Sequence, residues 1–185
     1  MNVATIKRND IANGPGIRVS LFVSGCRHRC PGCFNREAWD FSFGEPYTAD
    51  TEALILTALE PDYVEGLTLL GGEPFEPENQ EELLSLCRIV REKYPHKTVW
   101  CYTGFLLEDL LAGKVGDPAV CRALLQELDV LVDGRFEADK KSLALRFRGS
   151  SNQRILDMPA SLDGQRAVWL TGKWERKMGK EDMDF

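Results

Sequence analysis

The 185 residues are 43% apolar and 28% charged, with a formal net charge of −6. This is the composition of one ordinary globule with a core of its own, and the acidity argues against general nucleic-acid binding. No run approaches ~18 consecutive apolar residues, so no membrane span is expected. The first residues lack the apolar stretch of a signal peptide, which points to the cytoplasm and to reduced thiols.

In chain order, residues 3–7 are expected as an edge strand. Residues 10–16, D-I-A-N-G-P-G, are rich in turn formers and read as a connecting loop. Ile17, Val19, Leu21 and Val23 then alternate with Arg18, Ser20, Phe22 and Ser24. That period of two predicts a strand over 17–24, which Gly25 ends. Thr48 or Asp50 is placed to cap a helix over 51–59. Residues 66–70 form a short apolar run closed by Gly71-Gly72-Glu73-Pro74, a second strand. The amphipathic span 77–94 is a helix, with Leu83, Leu84, Leu86, Cys87 and Val90 on one side. A third strand over 98–102 is closed by Thr103-Gly104. Two helices follow over 106–111 and 118–128, the second with Pro118 suited to its first turn. A fourth strand over 129–132 is closed by Asp133-Gly134-Arg135-Phe136. Residues 142–148 alternate like a strand, and 166–170 read as a last one. The charged tail 173–185 is expected to be loose.

Strands alternating with helices predict an α/β fold with a mostly parallel sheet. About five strands are too few for a closed eight-stranded barrel, so a partial barrel or curved open sheet is expected.

The segment Cys26-Arg27-His28-Arg29-Cys30-Pro31-Gly32-Cys33 places three thiols in eight residues, just past a strand end. Three thiolates at this spacing can converge on one metal centre. An iron–sulfur cube usually takes four cysteines; with three, one iron stays open to a small molecule, as catalytic metal sites do. Cys87, Cys101 and Cys121 fall on apolar stripes and read as core residues. In parallel α/β sheets the chemistry sits at the carboxyl ends of strands. Four such ends carry unusual loops here: the cysteines, Gly71-Gly72-Glu73-Pro74, Thr103-Gly104 and Asp133-Gly134. Gly71 and Gly72 would let main chain approach a zwitterionic ligand, and Glu73 would accept from its ammonium. Gly32 would leave room for a flat ring, with Phe34 packing on it. Asp133 suits a ribose contact or a turn cap.

The cysteine spacing together with Gly-Gly-Glu-Pro resembles the radical S-adenosylmethionine superfamily. Within it, D-I-A-N-G-P-G-I-R at 10–18, C-P-G-C-F-N at 30–35, D-G-R-F at 133–136 and R-G-S-S-N-Q at 148–153 are similar to the branch that activates anaerobic ribonucleoside-triphosphate reductase. The likeness spans about residues 2–155. It implies a single-domain partial (β/α) barrel of the radical S-adenosylmethionine type over 1–155, with a partly loose extension over 156–185. It implies that Cys26, Cys30 and Cys33 ligate a [4Fe-4S] cluster and that S-adenosylmethionine chelates the fourth iron. Gly32, Cys33 and Phe34 would line the cofactor, and Gly71, Gly72 and Glu73 would meet its methionine end. Thr103 and Asp133 are further cofactor-binding candidates. Reductive cleavage would yield a 5′-deoxyadenosyl radical that takes a hydrogen from one glycine of the large reductase subunit. The electron would come from a low-potential donor such as flavodoxin. Lys140, Lys141, Arg146, Arg148 and Arg154 are candidates for docking the protein substrate.

Other readings stay open at this level. An electron-transfer iron–sulfur module would need a fourth ligand. A zinc module could add His28 to the thiols. Another glycyl-radical enzyme, or a small-molecule reaction such as carboxy-deazaguanine synthesis, would use the same motifs.

Overall fold

The computed structural model describes residues 1–171. A seven-stranded mixed sheet runs in the order β3-β1-β2-β4-β5-β6-β7. The strands are β1 Asn2–Asp10, β2 Ile17–Val23, β3 Glu45–Pro46, β4 Val64–Gly71, β5 Thr98–Tyr102, β6 Val130–Asp133 and β7 Arg154–Asp157. The central four, β2, β4, β5 and β6, are mutually parallel, while β1, β3 and β7 add antiparallel edges. The carboxyl ends of the four parallel strands therefore lie at one end of the sheet.

Alternation along each strand sorts side chains onto two faces. Val19, Leu21 and Val23 join Leu67, Leu69, Val99, Cys101 and Leu131 in the main core. Among the described residues the α-helices are α1 Ala49–Leu59, α2 Pro77–Lys93, α3 Leu107–Leu111, α4 Pro118–Gln126 and α5 Met158–Gly164. Cys87, Cys101 and Cys121 are fully buried in this core, as their stripes predict. On the other face, Trp100, Val130, Val132 and Ile155 form a second cluster. Arg18 is wholly buried; its guanidinium donates to Thr68 Oγ1, Thr98 Oγ1, Leu67 O and Thr98 O at 2.6–3.0 Å. Helix starts follow local chemistry. Thr48 and Thr51 form a reciprocal cap on α1, and Asp117 Oδ1 accepts from Ala119 N and Val120 N ahead of Pro118 on α4.

Among the described residues there are seven strands rather than about five, because β3 has only two residues and β7 covers a stretch without a long apolar pattern. Residues 142–148 are not a strand despite their alternation. The edge of β6 is taken by β7 and the outer edge of β7 by residues 166–170, while 142–148 turn back on themselves between Lys141 and Ser150, which share one bridge. Leu143 is accordingly 93% exposed. Residues 166–170 lie along β7 but make only a single Leu156–Trp169 bridge. The expected boundary at 155/156 falls inside β7, and α5 folds against the same core. The expected loose tail lies outside the described residues. Among those, no helix is long and apolar enough to cross a membrane.

Candidate functional site

At the carboxyl ends of the parallel strands lies a cleft of about 580 Å³. Cys26, Cys30 and Cys33 line it together with Phe34, Gly71, Gly72, Glu73 and Thr103. Loops after β2, β4, β5 and β6 thus meet, as a parallel core requires.

The cysteine loop is held from below by backbone bonds and by α2. Gly25 N donates to Ala38 O at 2.8 Å and Cys26 N to Trp39 O at 3.2 Å. Gly72 N donates to Val23 O at 2.7 Å, and Glu73 N to Gly25 O at 2.8 Å. Asn79 Nδ2 bridges Ser24 O and Glu73 O at 3.0 and 2.9 Å. Arg27 N donates to Glu76 Oε1 at 2.6 Å, and the Arg27 guanidinium pairs with both Glu76 and Glu78. The path between the thiols is tight: Arg29 and Gly32 have φ of 49° and 75°, and Cys33 N donates to Cys30 O at 3.2 Å.

The two glycines of the Gly-Gly-Glu-Pro turn are explained by this packing. A Cβ on Gly72 would lie 2.5 Å from Gly25 O and 2.8 Å from Ala38 O. One on Gly71 would meet the β2 backbone at 2.7 Å. Their close approach is to the base of the cysteine loop.

Glu73 is 1% exposed. Its Oε1 accepts from Phe75 N and Thr103 Oγ1 at 2.9 and 2.8 Å. Its Oε2 accepts from Gly104 N at 2.7 Å and His28 Nε2 at 3.0 Å. A carboxylate offers about four lone-pair sites, and all four are used. The expected role as an ammonium acceptor is therefore not available to this side chain.

Two other expectations fail geometrically. Asp133 is fully buried and away from the cleft wall; it accepts from Leu107 N at 2.8 Å and from Arg154 Nε at 2.9 Å. It acts as a cap and ion-pair partner, and its full burial keeps its oxygens from a ribose in the cleft. Gly32 does not line the cleft. Its positive φ demands glycine, and the atoms near a Cβ there, on Ala138 and Phe136, stand at 3.5 Å. The basic stretch is also partly committed. Arg154 pairs with Asp133 and Glu108, Lys140 with Glu137, and Lys141 lies 4.6 Å from the Phe34 ring centroid.

Some cleft residues escaped the sequence reading: Asn13 from the supposed connector and Trp39. His28, read as a loop residue, is engaged by Glu73. None of these carries a periodic or spacing signal.

Three soft thiols around one end of the cleft suit iron–sulfur ligation. Burial raises the Cys26 thiol to about 12, with the Glu73 charge adding to the effect. Burial also raises Cys30. An electron-poor iron centre relieves that penalty by taking up the thiolates. Among the described residues, no three His, Cys, Asp or Glu side chains are drawn together as a single ion would need. The remaining three cysteines lie in the core, so no fourth thiol reaches the cleft.

A family model described as a 4Fe-4S single cluster domain matches residues 12–156. Curated relatives named anaerobic ribonucleoside-triphosphate reductase-activating protein match over most of their length. The one from Enterobacteria phage T4 is 39% identical over 84% of this chain and 93% of its own. That of Pasteurella multocida is 42% identical over 84% and 96%. That of Escherichia coli K12 is 40% identical over 79% and 92%.

Proposed function

Because this chain belongs to the family of anaerobic ribonucleoside-triphosphate reductase-activating proteins, we propose that it is a radical S-adenosylmethionine enzyme that installs a glycyl radical on that reductase. The observation that carries the reading is the meeting of a three-cysteine loop and the Gly-Gly-Glu-Pro turn in one cleft. The sheet is read as a partial barrel of the radical S-adenosylmethionine type, and its setting as the cytoplasm.

Cys26, Cys30 and Cys33 would hold a [4Fe-4S] cluster through three of its irons. The Gly71–Gly72 backbone, Thr103 and the exposed Phe34 ring line the same cleft. When bound, the cluster and S-adenosylmethionine would supply the one-electron chemistry that makes a 5′-deoxyadenosyl radical for hydrogen abstraction from a glycine of the reductase. The chain's own contribution is to orient the nucleoside and keep solvent from the radical's path. Phe22, Leu70 and Phe147 give the cleft apolar walls suited to this. The electron comes from a low-potential donor of the flavodoxin kind.

Anaerobic reconstitution should yield a brown protein with about four irons per chain. With reductant, S-adenosylmethionine and the reductase, electron paramagnetic resonance should show a glycyl doublet that Cys30→Ala abolishes. Colourless protein holding one zinc would refute the reading. A doublet on a different glycyl-radical enzyme, with none on the reductase, would refute the partner.

A further inference from the structure

We propose that His28, the middle residue of the three between Cys26 and Cys30, is a positioning residue that fixes the cysteine loop against the cofactor wall of the cleft. The proposal rests on the cofactor assignment above and adds to it a residue that touches neither iron nor sulfur.

The His28 side chain is 5% exposed, although Arg27 and Arg29 on either side of it are exposed. It turns inward into a built socket. Its Nε2–H donates to Glu73 Oε2 at 3.0 Å. Its ring meets that of Phe105 edge-on, with centroids 4.3 Å apart and planes at 62°. Gly104 supplies the remaining wall: a Cβ there would come within 2.5 Å of His28 Cδ2 and 2.6 Å of Nε2. The same Glu73 carboxylate takes Gly104 N–H and Thr103 O–H. One buried acid thereby ties together the ends of β2, β4 and β5.

A C-x3-C gap is long enough to bow outward, and a bowed loop would move two thiols relative to Gly71 and Gly72. His28 removes that freedom, because a ring held by a hydrogen bond, an aromatic edge and a backbone contact has one place to be. Outer partners of this kind orient the ligands of metal sites, and losing one commonly costs about 10–100-fold in affinity or activity. Glu73 in turn acts through His28, Thr103 and Gly104, consistent with its lack of a spare lone pair.

The test uses reconstituted full-length protein. The perturbation of the reduced cluster's paramagnetic resonance spectrum by S-adenosylmethionine gives its apparent Kd without requiring turnover. In wild type, the absence of iron or of this response would refute the cofactor assignment itself. Given a wild-type response, His28→Ala should weaken S-adenosylmethionine binding by about tenfold or more. His28→Gln, whose amide can donate to the same oxygen, should recover most of it. Should His28→Ala fail to load iron, the comparison moves to iron content. Recovery in His28→Gln then supports the tie, and equality of the two variants overturns it. His28→Ala should cost less in a Glu73→Gln background than in wild type, because the carboxylate that His28 pairs with is already gone. Wild-type Kd in His28→Ala, measured where melting curves show it folded, would overturn the proposal.

Discussion

Gly72→Ala is the sharpest probe of how the two motif loops fit. The added methyl would sit 2.5 Å from Gly25 O and 2.8 Å from Ala38 O, both backbone atoms with no rotamer to yield. Relief requires the base of the cysteine loop to retreat by about half an ångström or more, since packed interiors hold no slack. Overpacking of this kind costs ~1–3 kcal/mol. The retreat also stretches the bonds from Gly72 N to Val23 O and from Glu73 N to Gly25 O, now 2.7 and 2.8 Å, worth roughly 1 kcal/mol each. With both bonds lost the sum is about 3–5 kcal/mol. Urea unfolding of metal-free protein should show that loss at unchanged slope, and reconstituted protein should hold fewer irons per chain than wild type. Gly32→Ala is the control. It meets no atom closer than 3.5 Å and should lose only the ~1–2 kcal/mol of a left-handed backbone. Equal stability of Gly72→Ala and wild type, with full iron, would refute the claim that the two loops are pressed together at this point.

Other consequences are independent of the cluster. Arg18→Ala leaves two buried acceptors, on Thr68 and Leu67, and two on half-buried Thr98 without their donor and should cost about 3 kcal/mol in urea unfolding; Arg18→Lys should not rescue it, having no planar fork. In metal-free protein at pH 8, iodoacetamide followed by peptide mapping should modify Cys30 and Cys33 first. Cys26 should lag and Cys87, Cys101 and Cys121 react only in denaturant, because burial places the Cys87 thiol near 12 and the Cys121 thiol near 11; early labelling of Cys87 would contradict the core assignment. Burial raises the Asp10 carboxyl, but donation from Ala12 N–H and Asn13 outweighs it and leaves the group below its ordinary 3.8. The unfolded chain then binds the proton more readily, so Asp10 stabilises the fold above about pH 4 and loses that effect as pH falls through the lowered value. Acid titration of Asp10→Asn should be flatter than wild type in that window.

The chain order of strands and helices was legible because β2 alternates and β4 to β6 read as short apolar runs between amphipathic helices. The cysteine spacing and the glycine-rich strand ends were legible because chemistry at those points needs particular residues close together in sequence. Residues 142–148 misled for a physical reason: alternation records which side of a ribbon is apolar, not whether an open edge is there to receive it. Asp133 and Glu73 misled in another way. A carboxylate beside a glycine looks alike in sequence whether its lone pairs are free or filled, and only the approach of Leu107, Arg154, His28, Thr103 and Gly104 from distant segments decides that. The amino-acid order therefore determined the α/β architecture and the three thiols by itself. Tertiary structure decided which polar groups face the cleft, because hydrogen-bond saturation depends on partners up to 45 residues apart.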